Sequence, residues 1–269
     1  MVSYKNKKES GDNMKVSFFS IKTGKIKNNA GFRIVHLSDL HKKQFGEDNS
    51  ELFEKICSLR PDAVFITGDM ISRSTQSLEV IKSLLKRLSD VFPVYYSLGN
   101  HETDTKTTNP VIYKELTEYA LGLGILLDNK TVRIENENLL IQLSGLTIYD
   151  ECYKKDGRYK NLRSISAAEV KALLKTEPQK NCINIMLAHN PVFFEAYSDY
   201  GSDIILSGHI HGGCIKLPFI GGLLSPERKF FPKYFSGLYK RKNSSMIVSC
   251  GLGKFRLFNP SEIVVLELS

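Results

Sequence analysis

A chain of 269 residues with a formal charge of +8, 42% hydrophobic and 25% charged residues has the composition of an ordinary globular protein and can bury a full core. The positive balance favours polyanionic partners (phosphorylated metabolites, anionic lipid surfaces or nucleic acid) and is equally compatible with a basic surface that has no partner. The cysteines, Cys57, Cys152, Cys182, Cys214 and Cys250, are scattered without a CxxC pair, which argues against a disulfide framework and a zinc ribbon and predicts a reducing, cytoplasmic setting.

The first thirty residues are polar and Lys-rich. They read as a loose arm or an edge strand, without the apolar run of a signal peptide. Nowhere does the chain run through about 18 apolar residues, so no transmembrane helix is expected. Phe32–Leu37 is a short apolar run that reads as a buried strand, and residues 48–59 follow with helical periodicity until Pro61. Residues 63–67 predict a second strand, 76–89 a helix, 91–98 a third strand and 110–121 another helix. Strands alternating with helices imply βαβ units and parallel pairing. Asn/Asp punctuation then splits the short strands 125–127, 131–134 and 139–144, a pattern that suits antiparallel hairpins. A helix is expected at 167–175 and strands at 182–188, 203–207, 246–250 and 262–268. The fold class is α/β: two packed sheets with helices outside, in a single domain over 31–269 behind the 1–30 segment.

Five of the six histidines, His41, His101, His189, His209 and His211, directly follow predicted strands, whereas His36 lies inside one. Ligand sites in α/β sheets form beyond the carboxyl ends of strands, so these five and Asp39, Asp69 and Asn100 can meet. Imidazole and carboxylate ligands suit Mn²⁺, Fe or Zn²⁺. Two such ions about 3.5–4 Å apart can clamp both oxygens of an in-line displacement at phosphorus. His36 is expected to be a packed or edge residue.

The ordered blocks Asp39-x-His41, Gly68-Asp69, Gly99-Asn100-His101-Glu102, His189 and Gly208-His209-x-His211 resemble the five-block signature of the calcineurin-like metallophosphoesterases. The resemblance implies a four-layer α-β-β-α fold and two divalent metal ions, Mn²⁺ first, with Fe or Zn²⁺ as alternatives. It implies that Asp39, His41, Asp69 and His211 hold one ion and Asp69, Asn100, His189 and His209 the other. Asp69 would be the bridge, a metal-bound hydroxide the nucleophile at phosphorus, His101 the catalytic group and Glu102 a support behind the ligands.

Ser/Thr phosphatases of the family carry Gly-Asp-x-x-Asp-Arg-Gly, whereas this chain reads Gly68-Asp69-Met70-Ile71-Ser72-Arg73-Ser74, which disfavours a protein phosphatase. The tail, with Leu217-Pro218-Phe219-Ile220-Gly221-Gly222 and Gly251-Leu252-Gly253, is similar to a bacterial subgroup of small phosphodiesterases, some membrane-associated, related to UDP-diacylglucosamine pyrophosphatases. The expected activity is hydrolysis of phosphodiester or phosphoanhydride bonds, on a substrate that could be nucleotide-linked or lipid-linked. Phosphomonoester or nucleotide hydrolysis and a non-catalytic metal-binding scaffold are the alternatives. Aromatic and basic residues mix over 216–242. Exposed, that segment could place a cytoplasmic enzyme peripherally on an anionic membrane or bind single-stranded nucleic acid; buried, its rings would pack inward. Arg73 and Arg256 are read as surface ion-pair residues, with phosphate contact as the alternative.

Overall fold

A computed structural model describes residues 2–7, 14–27, 30–154, 161–212, 216–217, 221–222, 233–253 and 260–269. The strands are β1 (Val2–Lys7), β2 (Met14–Ile21), β3 (Phe32–Leu37), β4 (Ala63–Ile66), β5 (Val94–Tyr96), β6 (Lys130–Asn136), β7 (Leu139–Leu146), β8 (Ile183–Ala188), β9 (Ile204–Ser207), β10 (Lys216–Leu217), β11 (Gly221–Gly222), β12 (Gly237–Arg241), β13 (Ser244–Val248) and β14 (Ser261–Leu268). The helices are α1 (Ser50–Ser58), α2 (Glu79–Val91), α3 (Asn100–Thr108), α4 (Pro110–Gly122), α5 (Ala167–Leu174) and α6 (Phe194–Tyr200).

Two six-stranded sheets form, in the orders β1-β2-β14-β3-β4-β5 and β12-β13-β9-β8-β7-β6. The central strands β3, β4 and β5 are parallel, as are β7, β8, β9 and β13. Side-chain alternation explains the layering. In β3, Phe32 and Ile34 face the other sheet, whereas Val35 and Leu37 face the helices on the outside. Strand β8 does the same, with Ile183, Ile185 and Leu187 in the inter-sheet core and Met186 and Ala188 against the opposite helical layer. Strands buried on both faces read as continuous apolar runs, which is why β3, β4 and β8 were legible. The expected α/β two-sheet architecture with outer helices is the one observed.

The differences are local. Residues 14–21, within the expected arm, form an interior strand paired along its whole length with β14, while β1 takes the sheet edge. Five of its eight side chains are buried, but Lys15, Ser17 and Ser20 interrupt its apolar pattern. Residues 125–127 contribute only a bridge from Leu126 to Tyr96. Helix α3 starts on the Asn100 block itself; its nine residues lack an apolar stripe, so periodicity gave no sign of it.

His36 is a packed residue of β3, not an edge one, with Nε2 2.8 Å from Thr67 Oγ1. Burial lowers its pKa to about 3, against the pull of Asp39. The neutral ring is therefore favoured on folding. The stability this confers is complete above the unfolded value of about 6.5 and is lost as pH falls from there towards 3. Denaturant titrations between pH 7 and 4 should show a steeper loss of stability for the wild type than for His36→Gln, and equal slopes would refute the assignment.

Candidate metal centre

The site lies where the carboxyl ends of β3, β4 and β5 meet those of β8 and β9. Each of these strands ends in a turn that bends at once. Asp39, His41, Asp69, His209 and His211 all have φ between 52° and 70°, the left-handed region that non-glycine residues rarely enter. Such strain persists only where surrounding bonds over-determine it. Here Asp39 N–H donates to Gly68 O and His41 N–H to Asp69 O, both at 3.0 Å. His209 N–H donates to the Asp39 carboxylate at 3.1–3.2 Å. The β3, β4 and β9 turns are thus laced together. Glycine beside the ligands is a packing requirement. A Cβ on Gly208 would stand 1.9 Å from Ser38 Oγ and 2.3 Å from Asp39 Oδ2, and one on Gly68 would stand 2.1 Å from Gly99 N.

Glu102 ties the β4 and β5 turns. Its buried carboxylate accepts hydrogen bonds from Asp69 N (2.8 Å), Met70 N (2.7 Å), Ile71 N (3.2 Å), Gly99 N (2.9 Å) and Tyr96 Oη (2.9 Å). It touches no other site carboxylate or imidazole by hydrogen bond and holds the backbone from which they project.

Three groups of site residues bring their ligand atoms within 4.8 Å of one another: Asp39, His41 and His211; His41, Asp69 and His101; and Asp69, His189 and His209. His189 Nε2 stands 3.1 Å from Asp69 Oδ2 and 3.8 Å from Asp39 Oδ1. His211 Nε2 stands 3.7 Å from Asp39 Oδ1 and 3.4 Å from His41 Nε2. Asp39 and Asp69 are almost wholly buried. Burial alone would raise their pKa values, but His211 and His189 around Asp39, and His189 and His101 around Asp69, hold both carboxyls below the ordinary range. Burial depresses His189, yet Asp69 and Asp39 outweigh it and raise its pKa to about 9. The pocket therefore demands positive charge between its carboxylates. One buried atom beside it, Asn100 Oδ1, has no hydrogen-bond partner. Converging nitrogen and oxygen atoms, an orphaned amide oxygen and an electrostatic appetite for a cation fit a pair of divalent ions.

Backbone wiring separates the histidines into two kinds. Thr67 O lies 2.6 Å from His189 Nδ1, and Ile71 O lies 3.2 Å from His41 Nδ1. A carbonyl can only accept, so each Nδ1 carries hydrogen and each Nε2 is the ring nitrogen turned to the site, able to bind a metal once it is free of a proton. His101 is wired the other way. Its Nδ1 accepts from Arg73 N–H at 3.3 Å, which leaves hydrogen on Nε2, 3.9 Å from Asp69 Oδ2. It faces the centre as a donor. Burial lowers its pKa to about 4, despite the pull of Asp69.

Of the residues named for the site, the structure gathers Asp39, His41, Asp69, His101, His189, His209 and His211, with Glu102 hydrogen-bonded behind Asp69 and Asn100 buried at the start of α3. Sequence reasoning missed Tyr153, whose ring meets His209 edge-on at 5.2 Å and lies 6.3 Å from His189; it belongs to no motif spacing. It also missed what the Gly251-Leu252-Gly253 turn does. Leu252 N–H donates to Ser38 O and Gly253 N–H to Asp39 O, and a Cβ on Gly251 would stand 2.6 Å from Asp39 Cβ.

Arg73 pairs with Asp104, and Arg256 lies outside the described residues. In the described part of 216–242, Tyr234 packs against Phe194 and Tyr239. Lys233 pairs with Glu195, and Arg241 and Lys242 both pair with Asp199. Phe219, Phe230 and Phe231 lie outside the described residues. Among those described, no helix is long and apolar enough to cross a membrane.

With a pKa of about 9, His189 is protonated at pH 7 in the metal-free protein, so binding a cation there must expel a proton. Calorimetric titration with Zn²⁺ at pH 7, in two buffers of different ionisation enthalpy, should show a released proton that His189→Gln abolishes. Release unchanged in the variant would refute this charge assignment.

Residues 32–213 match the calcineurin-like phosphoesterase family. The chain is 30% identical over 247 residues to a metallophosphoesterase of Campylobacter jejuni, covering 88% of this chain and 59% of that one. It is 27% identical over 281 residues to a UDP-2,3-diacylglucosamine pyrophosphatase of Chlamydia muridarum, covering 88% and 83% of the two chains. It is 26% identical over 247 residues to a phosphodiesterase of Escherichia coli, covering 90% and 83%. The chain thus spans less than two thirds of the Campylobacter relative and most of the other two. Matched family and assembled metal-ligand cluster agree: the chain belongs to the calcineurin-like family of metal-dependent phosphoesterases.

Proposed function

We propose that the protein hydrolyses phosphodiester or phosphoanhydride bonds with Asp39, His41, Asp69 and His211 around one divalent ion and Asp69, Asn100, His189 and His209 around a second. The observation that carries this reading is the opposed wiring of the histidines: in His189 and His41 a carbonyl holds Nδ1–H and turns Nε2 to the centre, whereas His101 turns an Nε2–H to it. Two divalent ions in such a site supply Lewis acidity and an activated water. Asp69 shares one ligand cluster with His41 and another with His189, which supports its role as the bridge. Its Oδ1 accepts His101 N–H at 2.7 Å, so the bridging carboxylate also fixes the start of α3. His101 Nε2–H faces the centre as a hydrogen-bond donor and would steady a phosphoryl oxygen there. Glu102 sets the turn geometry for all of them. Mn²⁺, Fe and Zn²⁺ are all compatible with this nitrogen and oxygen set.

Similarity to a pyrophosphatase acting on a nucleotide-linked lipid precursor and to a phosphodiesterase favours diesters and anhydrides over monoesters. Contact with an anionic membrane draws little support from the described part of 216–242, where Lys233, Arg241 and Lys242 are already paired with carboxylates.

Metal-stripped protein supplemented with Mn²⁺ should cleave bis-p-nitrophenyl phosphate in preference to p-nitrophenyl phosphate. His101→Ala should lower that turnover by about 10²–10⁴-fold while still taking up metal. Cleavage of the monoester alone would replace this reading with a phosphatase, and turnover with no metal requirement would remove it. Asp69→Asn should cost at least as much activity as losing any single ligand histidine and should lower bound metal at both positions. Near-normal turnover in that variant would sink the bridging role.

A further inference from the structure

Behind the Asp39 turn lies a buried carboxylate that belongs to none of the motif blocks. Glu262 of β14 is 4% exposed and stands outside the 32–213 span of the family match. Its Oε2 accepts Cys250 N–H at 2.7 Å, and its own N–H donates to Gly251 O at 2.8 Å. Its Oε1 accepts from the Ser17 hydroxyl, and Lys15 Nζ stands 3.4 Å from the same oxygen. A buried carboxylate is costly to leave without its donors, so these bonds fix residues 250 and 251 against β14 and β2.

The turn held in this way is pressed against the first ligands. Leu252 N–H donates to Ser38 O at 2.9 Å and Gly253 N–H to Asp39 O at 2.5 Å. Gly251 has φ of 73°, and a Cβ there would stand 2.6 Å from Asp39 Cβ and 2.9 Å from Asp39 Oδ2. One on Gly253 would stand 2.9 Å from His41 Cδ2. Lys43, two residues past His41, donates to Ser261 Oγ, which donates in turn to Leu252 O at 2.7 Å. Just before the turn, Ser249 N–H donates to Ser207 O at 2.8 Å, at the end of the strand that leads to His209 and His211. These contacts fall on the turns that carry Asp39, His41 and His211, whereas the hydrogen bonds to Glu102 come from the turns after β4 and β5 and from Tyr96.

We propose that Glu262 is a positioning residue for the ion ringed by Asp39, His41, Asp69 and His211, so that the two metal positions are supported by separate buried carboxylates and can be weakened separately. The proposal rests on the two-ion reading of the site. Glu262 touches none of the ligand side chains by hydrogen bond. It acts through residues 250–253, which hold the Asp39 backbone in its left-handed conformation and keep the carboxylate aimed into the cleft before a cation arrives. Groups that orient a ligand from behind set metal affinity, so the loss of Glu262 is read as weaker binding at this one position.

The test titrates Mn²⁺ into the metal-stripped full chain and follows it by electron paramagnetic resonance, which distinguishes free Mn²⁺, a lone bound ion and a coupled pair. The wild type is expected to bind two ions that couple. Glu262→Ala should weaken one of the two binding steps about 10–100-fold and leave the other within about twofold. A lone-ion signal should then persist at concentrations where the wild type is paired. Glu262→Gln keeps an oxygen for Cys250 N–H and should recover part of that loss. Gly251→Ala leaves Glu262 intact, drives a methyl group against Asp39 and should reproduce the one-sided loss, which keeps the proposal testable if Glu262→Ala does not fold. In a His211→Ala background, where the same position is already damaged, Glu262→Ala should leave the remaining step within about twofold. Equal weakening of both steps in Glu262→Gln and Gly251→Ala, or weakening of neither, overturns the proposal. A wild type that binds fewer than two ions removes instead the two-ion reading, and the proposal falls with it.

Discussion

Five hydrogen bonds to one buried carboxylate, that of Glu102, set the geometry on which the site depends. Three come from consecutive backbone N–H groups, Asp69 to Ile71, and one from Gly99. The turns after β4 and β5 are thereby locked to each other. Because Asp69 is held in a left-handed conformation, its carboxylate points into the cleft and not along the strand. Burial pushes the Glu102 carboxyl up, while the backbone and Tyr96 donors favour its charged form.

The second constraint is electrostatic. Asp39 and Asp69 lie buried together, an arrangement that costs energy unless positive charge sits between them. In the metal-free protein a proton on His189 supplies part of that charge. Divalent cations would supply it more fully, and the backbone carbonyls at Thr67 and Ile71 hold His189 and His41 with Nε2 turned to the site. Strained turns, buried carboxylates and an orphaned amide oxygen are unfavourable singly, and their coincidence fits a preorganised cation site.

The amino-terminal hairpin contributes from a distance. Ser17 of β2 donates to Glu262, and Glu262 accepts Cys250 N–H at 2.7 Å. That carboxylate anchors the turn whose Leu252 and Gly253 N–H groups grip the backbone of Ser38 and Asp39. A segment that reads as a peripheral arm therefore bears on the first metal-ligand turn through two buried contacts.

The sequence by itself determined the chemistry and the frame. Apolar runs buried on both faces of their sheets gave β3, β4 and β8, and the short turns after β3, β4, β5, β8 and β9 gave Asp39, His41, Asp69, Asn100, His101, His189, His209 and His211 as residues at strand ends. Those features are local, so they survive in a linear reading. Only the tertiary structure decided what depends on partners far apart in the chain. Strand β2 is interior because β14, more than two hundred residues away, lies beside it. Tyr153 matters because its loop folds onto His189 and His209. The difference between a ligand histidine and a donor histidine rests on which backbone atom of another turn meets Nδ1. No spacing along one strand encodes that choice, because the carbonyl or N–H concerned arrives only when the β3, β4, β5, β8 and β9 turns pack together.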